Sequence, residues 1–192
     1  NVIVIGGGVL GLEAAWELKK AKCHVTVLEL APVIMGRQLD EPAAELLKKI
    51  SENQDIEIRT GVKIAAIEGD DFVSGIRMED GEVLPADMVV VSCGVRANTA
   101  VAKDAGIEVD RSVVVNAKME TNVEDIYACG DCAQYQGINY GLWSQAVEQG
   151  KTAGANAAGD DLEYETVSAA LNFHGMGTAL FAAGDNGKNP NL

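Results

Sequence analysis

The fold is decided by one stretch near the start of the 192-residue chain, Val2-Ile3-Val4-Ile5-Gly6-Gly7-Gly8-Val9-Leu10-Gly11. Its four leading apolar residues predict a short strand, and the glycines predict a tight turn. Apolar residues then recur at helical spacing from Leu12 to Lys20. Residues 24–30 are rich in β-branched types and predict a second strand. The opening is therefore predicted to be a strand, a turn, a helix and a second strand parallel to the first.

The next 60 residues continue the same pattern. Asp40 predicts the cap of a helix that runs to Glu52. Residues 55–59 predict a third short strand, and the alternating runs of residues 61–84 are typical of an antiparallel meander. Residues 86–93 include four consecutive large apolar residues and predict a buried parallel strand.

A second block begins near Val95. Short strands are predicted at residues 113–115 and 126–128. The run from Trp143 to Ala158 is rich in small residues and predicts a helix. Residues 164–184 show some alternation but no clear period, so no element is predicted there.

Charge and composition exclude several classes of protein. The chain has 15 Lys and Arg against 29 Asp and Glu, and a formal charge of −14 without a basic stripe predicts no nucleic-acid partner. No run of about 18 apolar residues occurs, so no membrane span is predicted. The four cysteines are too few for a disulfide scaffold, which favours the cytoplasm. Because the chain opens inside a strand, we expect it to be a piece of a longer protein.

The glycine turn matches the G-x-G-x-x-G pattern, with the preceding strand and following helix that dinucleotide binding requires. The first glycine permits the turn, the second lets the backbone approach a pyrophosphate, and the third lets helix and strand pack closely. The helix start offers N–H groups and a positive dipole to the anion. The predicted nucleotide-binding residues here are Gly6, Gly8, Val9, Leu10 and Gly11. The alternative is a glycine turn in an α/β domain that binds no nucleotide.

Glu29 ends the second strand, 18 residues after Gly11. A carboxylate there can accept hydrogen bonds from both hydroxyls of an adenosine ribose, which favours NAD over NADP. Arg37 is the nearest cation that could instead accommodate a 2′-phosphate. In the alternative without nucleotide, Glu29 is only solvated.

Cys129-Gly130-Asp131-Cys132 has the spacing of a thiol redox pair and of half a zinc site. The only histidines are His24 and His174, and no second C-x-x-C occurs, so no metal site is predicted. The redox pair is the less favoured alternative, because the surrounding residues carry a more specific pattern.

That pattern is T-x-x-x-x-x-Y-A-x-G-D, present from Thr121 to Asp131, and the segment Gly94-Val95-Arg96-Ala97-Asn98 resembles G-x-R-P-N. Together with the glycine turn, these motifs resemble the FAD-dependent pyridine nucleotide oxidoreductases, which have two dinucleotide-binding domains. The resemblance covers residues 2 to 160. Ala97 stands where proline is usual, which removes no functional group. Cys129 and Cys132 then occupy variable positions of small residues.

The resemblance implies roles for several residues. Asp131, with Gly130 before it, would hydrogen-bond a hydroxyl of the FAD ribityl chain, and Gly94 would lie where the chain leaves the NAD domain. Glu13 would place a carboxylate near the nicotinamide. The alternative is that Glu13 is an ordinary acidic residue in the first turn of the helix, stabilised by the helix dipole. Trp143 would face the flavin at a helix start that stabilises the reduced ring; the alternative is a core aromatic.

The resemblance also implies an α/β fold with two parts. These are a Rossmann-like three-layer NAD-binding domain, residues 1–94, and the second segment of a homologous FAD-binding domain, residues 95–160. Residues 161–192 would begin a C-terminal domain or form a linker. Residues 37–40 and 164–185 resemble NADH-nitrite reductase large subunits and NADH-rubredoxin reductases.

The implied activity is hydride transfer from NADH to flavin, followed by electron delivery to an acceptor such as rubredoxin or a sirohaem domain. The expected cofactors are NAD(H) and FAD, with FAD lost from this chain because it contains a single dinucleotide turn. Two alternatives are a flavoenzyme of the NADH oxidase or CoA-disulfide reductase type, and a stand-alone NAD-binding module. A homodimer is a further expectation, since apolar surface would be left exposed.

Overall fold

The computed structural model describes residues 1–166 and 170–184. Its first part alternates strands and helices, as predicted. In chain order these are β1 (Val2–Ile5), α1 (Val9–Lys20), β2 (Val25–Glu29), α2 (Glu41–Glu52) and β3 (Ile56–Thr60). The side chain of Asp40 accepts a hydrogen bond from the backbone N–H of Ala43 at 2.9 Å. This bond confirms the predicted cap of α2.

An antiparallel meander follows, and the chain then returns to the parallel sheet. The strands are β4 (Ile64–Gly69), β5 (Val73–Met78), β6 (Val83–Pro85) and β7 (Met88–Val91). β1 pairs in parallel with both β2 and β7, and β2 pairs in parallel with β3. The strand order is therefore β3-β2-β1-β7. The parallel βαβ opening and the meander are both confirmed.

The parallel sheet is covered on two faces because successive side chains of a strand point to opposite sides. Val4 packs in one cluster with Leu12 of α1 and Leu47 of α2. Its neighbour Ile3 packs in another cluster with Ile76 of the meander. Helices, sheet and meander thus form the three layers of the predicted Rossmann-like α/β fold.

The prediction that β7 is buried is wrong. β7 lies at the edge of the sheet and pairs only with β1. None of its side chains is fully buried: Met88 and Val91 are 49% and 63% exposed, whereas Val89 and Val90 are partly buried against the two clusters. A continuous apolar run is typical of a strand with both faces covered, whereas the layers over this sheet reach only the middle two residues of the edge strand.

The second part of the chain contains α3 (Ala100–Asp104), β8 (Val113–Val115), β9 (Ala133–Tyr135) and α4 (Trp143–Ala157). β8 and β9 pair in parallel. Their core joins Val113 and Val115 to Met119, Ala133, Ala153 and Tyr164. The predicted strand at 113–115 and the predicted helix from Trp143 are confirmed.

The strand predicted at residues 126–128 is wrong. Asp125 has a left-handed backbone, with φ of 62°, and the N–H of Ile126 donates to the carbonyl of Val123. The chain therefore turns at residues 124–125, and residues 126–128 form one isolated antiparallel bridge, from Tyr127 to Glu120, rather than a strand.

A β-hairpin that the sequence did not predict ends the described chain, with strands β10 (Ala170–Gly175) and β11 (Thr178–Ala183). Met176 and Gly177 join them, both with positive φ, which suits the right-handed twist of a two-residue hairpin. Phe173 and Met176 are fully buried in the cluster that contains α1 and α2. The hairpin accordingly forms one compact unit with residues 1–94, and residues 95–166 belong to a second unit. Residues 167–169 and 185–192 of the predicted C-terminal segment lie outside the described residues.

Candidate cofactor-binding sites

The glycine turn lies at the carboxyl edge of the parallel sheet. The N–H of Gly6 donates to the carbonyl of Leu28 at 2.8 Å, and the N–H of Ser92 donates to the carbonyl of Ile5 at 2.7 Å. The carbonyl of Gly7 accepts from the N–H of Met35 at 2.9 Å. These bonds tie the turn to the ends of β2 and β7, at the edge where parallel α/β sheets bind their ligands.

Gly6 and Gly11 are required by the fold itself. Gly6 has φ of 112°, and a methyl group there would overlap the carbonyl oxygen of Ser92. A methyl group on Gly11 would overlap the carbonyl oxygen of Gly6. These two glycines therefore allow helix α1 to pack closely on the turn and the sheet.

Gly8 is different, because nothing in the fold requires a glycine there. Its φ is −80°, a value that any residue adopts, and a methyl group on it would have no heavy atom within 4 Å. Gly8 is the N-cap of α1, which has no side-chain cap and no acidic residue in its first turn. The open space therefore lies beside unsatisfied N–H groups of the first turn, which contains Val9, Leu10 and Gly11. A phosphate group fits this arrangement of donors and helix dipole.

Glu29 is held beside the turn by two backbone hydrogen bonds. One carboxylate oxygen accepts from Gly7 N at 2.6 Å and the other from Ala31 N at 2.7 Å. A carboxylate has about four acceptor positions, so each oxygen can accept a further bond from a ribose hydroxyl. Arg37 is exposed and forms no ion pair within the described residues.

Glu13 lies in the second turn of α1, because the helix begins at Val9. The predicted first-turn position is therefore wrong, because Glu13 is the fifth residue of the helix. Its side chain is half-buried and forms no hydrogen bond or ion pair within the part of the chain that the structure describes. Gly94, the last residue of the first segment of this unit, has φ of 81°, a conformation that favours glycine.

The second unit presents the sharp turn Gly130–Cys132, a single turn of 3₁₀ helix just before β9. Gly130 has φ of 73°, and its N–H donates to the side-chain oxygen of Gln149 in α4 at 2.7 Å. Asp131 is exposed, and its carboxylate accepts no hydrogen bond from the described residues. The turn thus presents an acceptor to solvent on a backbone that is firmly held.

Trp143 is the first residue of α4 and is 86% exposed, so the alternative of a core aromatic is wrong. The helix start beside it has no side-chain cap and no acidic residue in its first turn. Its N–H groups are consequently available to an electron-rich group.

The two cysteines around this turn do not have the properties of an activated pair. The thiol of Cys132 donates to the carbonyl of Cys129 at 3.3 Å. Burial, with a smaller contribution from Cys132, raises the pKa of Cys129, whereas a reactive thiol needs a lowered pKa. Within residues 1–166 and 170–184, no group of three or more His, Cys, Asp or Glu side chains could hold a metal ion.

One set of polar residues was missed by the sequence analysis. Four side chains form a buried stripe along α4, and they are Gln145, Gln149, Thr152 and Asn156. They recur at helical spacing on a face that normally carries apolar residues. That regular spacing of polar residues was a signal that could have identified them from the sequence.

The parallel sheet, its covering helices and the glycine turn show that this protein contains a Rossmann-like α/β unit. The chain belongs to the Pyridine nucleotide-disulphide oxidoreductase family, whose model matches residues 1–150. The predicted resemblance to FAD-dependent pyridine nucleotide oxidoreductases is therefore confirmed. No helix among the described residues is long and apolar enough to span a membrane.

The chain is similar in sequence and in structure to several oxidoreductases. It is 40% identical to nitrite reductase [NAD(P)H] of Bacillus subtilis, over 95% of this chain and 23% of that protein. It is 32% identical to NADH-rubredoxin oxidoreductase of Clostridium acetobutylicum, over 96% of this chain and 45% of that protein. The solved NAD-dependent persulfide reductase of A. fulgidus matches with a TM-score of 0.90 and 30% identity, over 97% of this chain and 36% of that one. The chain thus spans less than half the length of these relatives.

Proposed function

We propose that residues 1–94 bind NADH and that the chain works within a longer flavoprotein that oxidises NADH. The observation that carries the proposal is the space at Gly8. The fold does not require a glycine there, and the space adjoins the uncapped start of α1. A nucleotide pyrophosphate needs both open space and free N–H donors.

The chain's own residues have distinct roles in this proposal. The first turn of α1 binds the pyrophosphate, and Glu29 accepts hydrogen bonds from the adenosine ribose while it holds the N–H of Gly7. Glu13, the first acidic residue of α1, is assigned to the nicotinamide end, where it orients the ring. Bound FAD would supply hydride acceptance and onward electron transfer. The part of the protein is to position the two rings for transfer and to exclude water.

The second unit is assigned to the flavin. Asp131, presented by the turn that begins at Gly130, binds a ribityl hydroxyl. Trp143 and the start of α4 lie against the ring, where the positive helix end favours the reduced anion. The single dinucleotide turn of this chain serves NADH, so FAD would be lost from the chain in isolation.

The proposed electron acceptor is a protein or domain of the rubredoxin or sirohaem type. Support comes from the similarity to the nitrite reductase and the NADH-rubredoxin oxidoreductase. A second candidate is an enzyme of the NADH oxidase type, because the chain is 36% identical to NADH oxidase of Methanocaldococcus jannaschii. The cytoplasmic location and a homodimer stay predictions from composition and exposed apolar surface.

The proposal is tested with the longer protein that contains this chain, purified with its flavin and mixed with NADH without oxygen. Loss of the visible flavin band is the expected result. Adding oxidised rubredoxin should then restore the band faster than oxygen does, whereas faster recovery with oxygen would favour the NADH oxidase candidate. A flavin band that NADH does not change would contradict the proposal. Protein with no bound flavin would favour the stand-alone NAD-binding module.

A further inference from the structure

The backbone of the turn that carries Asp131 is held by two side-chain amides. The N–H of Gly130 donates to Oε1 of Gln149 at 2.7 Å. The side-chain amide of Asn139 donates to the carbonyls of Asp131 and Ala133, each at 2.8 Å. Hydrogen bonds to side chains thus fix the turn on both its N–H and its carbonyl groups.

Gln149 is buried, at 2% exposed, and its Oε1 faces the turn as the acceptor of the Gly130 N–H. Only the oxygen of a side-chain amide can accept from an N–H, so this bond fixes which end of the Gln149 amide points to the turn. Gln149 lies on the buried face of α4, where close packing restricts other orientations.

This arrangement contrasts with the state of Asp131 itself. The backbone groups of the turn form hydrogen bonds with buried side chains or side-chain amides. The carboxylate of Asp131, in contrast, is exposed and accepts no hydrogen bond from the described residues. Gly130 has a left-handed backbone and packs against Ala146 of α4, so its N–H points into the helix rather than to solvent. A backbone held in this way loses little conformational freedom when the side chain that it carries binds a ligand.

We propose that Gln149 and Asn139 are positioning residues that orient the Asp131 carboxylate for a hydroxyl group of the flavin side chain. The proposal rests on the function proposed above, which assigns this unit to FAD. Neither amide needs to contact the ligand. Their effect is to keep the turn in its binding conformation before FAD arrives.

The first test follows amide hydrogen exchange of Gly130 by NMR in the 192-residue chain. Gln149→Ala should speed the exchange of Gly130 about tenfold, because the amide loses its only acceptor. Gln149→Glu keeps an acceptor oxygen and should retain most of the protection. Asn156→Ala is the matched control, since Asn156 lies on the same face of α4 but binds Lys118 and Leu162. Equal exchange of Gly130 in the Gln149→Ala and Asn156→Ala variants would overturn the proposal.

The second test measures flavin dissociation constants in the longer flavoprotein with a double-mutant cycle. Gln149→Ala and Asn139→Ala should each weaken FAD about tenfold when Asp131 is present, and much less in the Asp131→Ala background. Equal weakening in both backgrounds would mean that the amides act on general stability, which overturns the positioning role. Failure of the unaltered protein to bind FAD would refute the proposed function, and the exchange experiment would still decide whether Gln149 holds the turn.

Discussion

Replacing Gly8 by valine separates the requirements of the fold from those of the ligand. Gly8 has φ of −80° and ψ of −178°, which valine adopts readily, and no heavy atom lies within 4 Å of the position of its missing methyl group. We expect Gly8→Val to change the free energy of unfolding by less than about 1 kcal/mol, the scale of an N-cap substitution. Its side chain would nevertheless fill the space assigned to the pyrophosphate.

The expected loss of NADH affinity follows from the hydrogen bonds that are blocked. Two charge-assisted bonds at about 1.5 to 3 kcal/mol each give about 3 to 6 kcal/mol, which weakens binding more than about a hundredfold. Isothermal titration calorimetry measures this loss, and thermal unfolding measures the stability.

Gly11→Ala is the matched control, because its methyl group would overlap the carbonyl oxygen of Gly6 and should lower the melting temperature clearly. Unchanged NADH affinity in folded Gly8→Val would refute the reasoning, as would unfolding of that variant.

Three further predictions concern nucleotide choice, flavin and pH. Calorimetry should show that the chain binds NADH more tightly than NADPH by about 1 to 3 kcal/mol, and Glu29→Gln should narrow this difference; equal affinities would contradict the role of Glu29. The chain should be colourless after incubation with excess FAD and desalting, since it has one dinucleotide turn, and a retained flavin band near one equivalent would refute this. Burial raises the pKa of Tyr164, so its hydroxyl stays protonated in the folded chain at pH values where it ionises in the unfolded chain. The free energy of unfolding should therefore fall as pH rises above about 10, the ordinary tyrosine pKa, and fall less steeply in Tyr164→Phe; identical slopes would contradict the prediction.

The first unit could be predicted from the sequence because its signals are local and agree with one another. Four apolar residues, three glycines with distinct requirements and a periodic helix each favour the same βαβ arrangement. The exposure of β7 could not be predicted, because a strand's position in the sheet depends on distant pairings.

The second unit was harder to predict, since its elements are short and its packing is partly polar. The apolar triplet at residues 126–128 resembles a strand, but Asp125 turns the chain there. Strand β9 contains Gln134, which weakened its pattern, and the hairpin of β10 and β11 is stabilised by packing against α1 and α2 rather than by its own composition. The role of Gln149 depends on a backbone N–H that is 19 residues away, which no local pattern indicates.

The central claim, that the glycine turn holds a nicotinamide nucleotide, is tested most directly by an NMR titration of this chain with NADH. We predict saturable shifts that are largest for the backbone amides of Gly8, Val9 and Leu10, with Glu29 and Ala31 next and Gly130 unaffected. The absence of saturable shifts, or shifts centred on Gly130 and Asp131, would contradict the account.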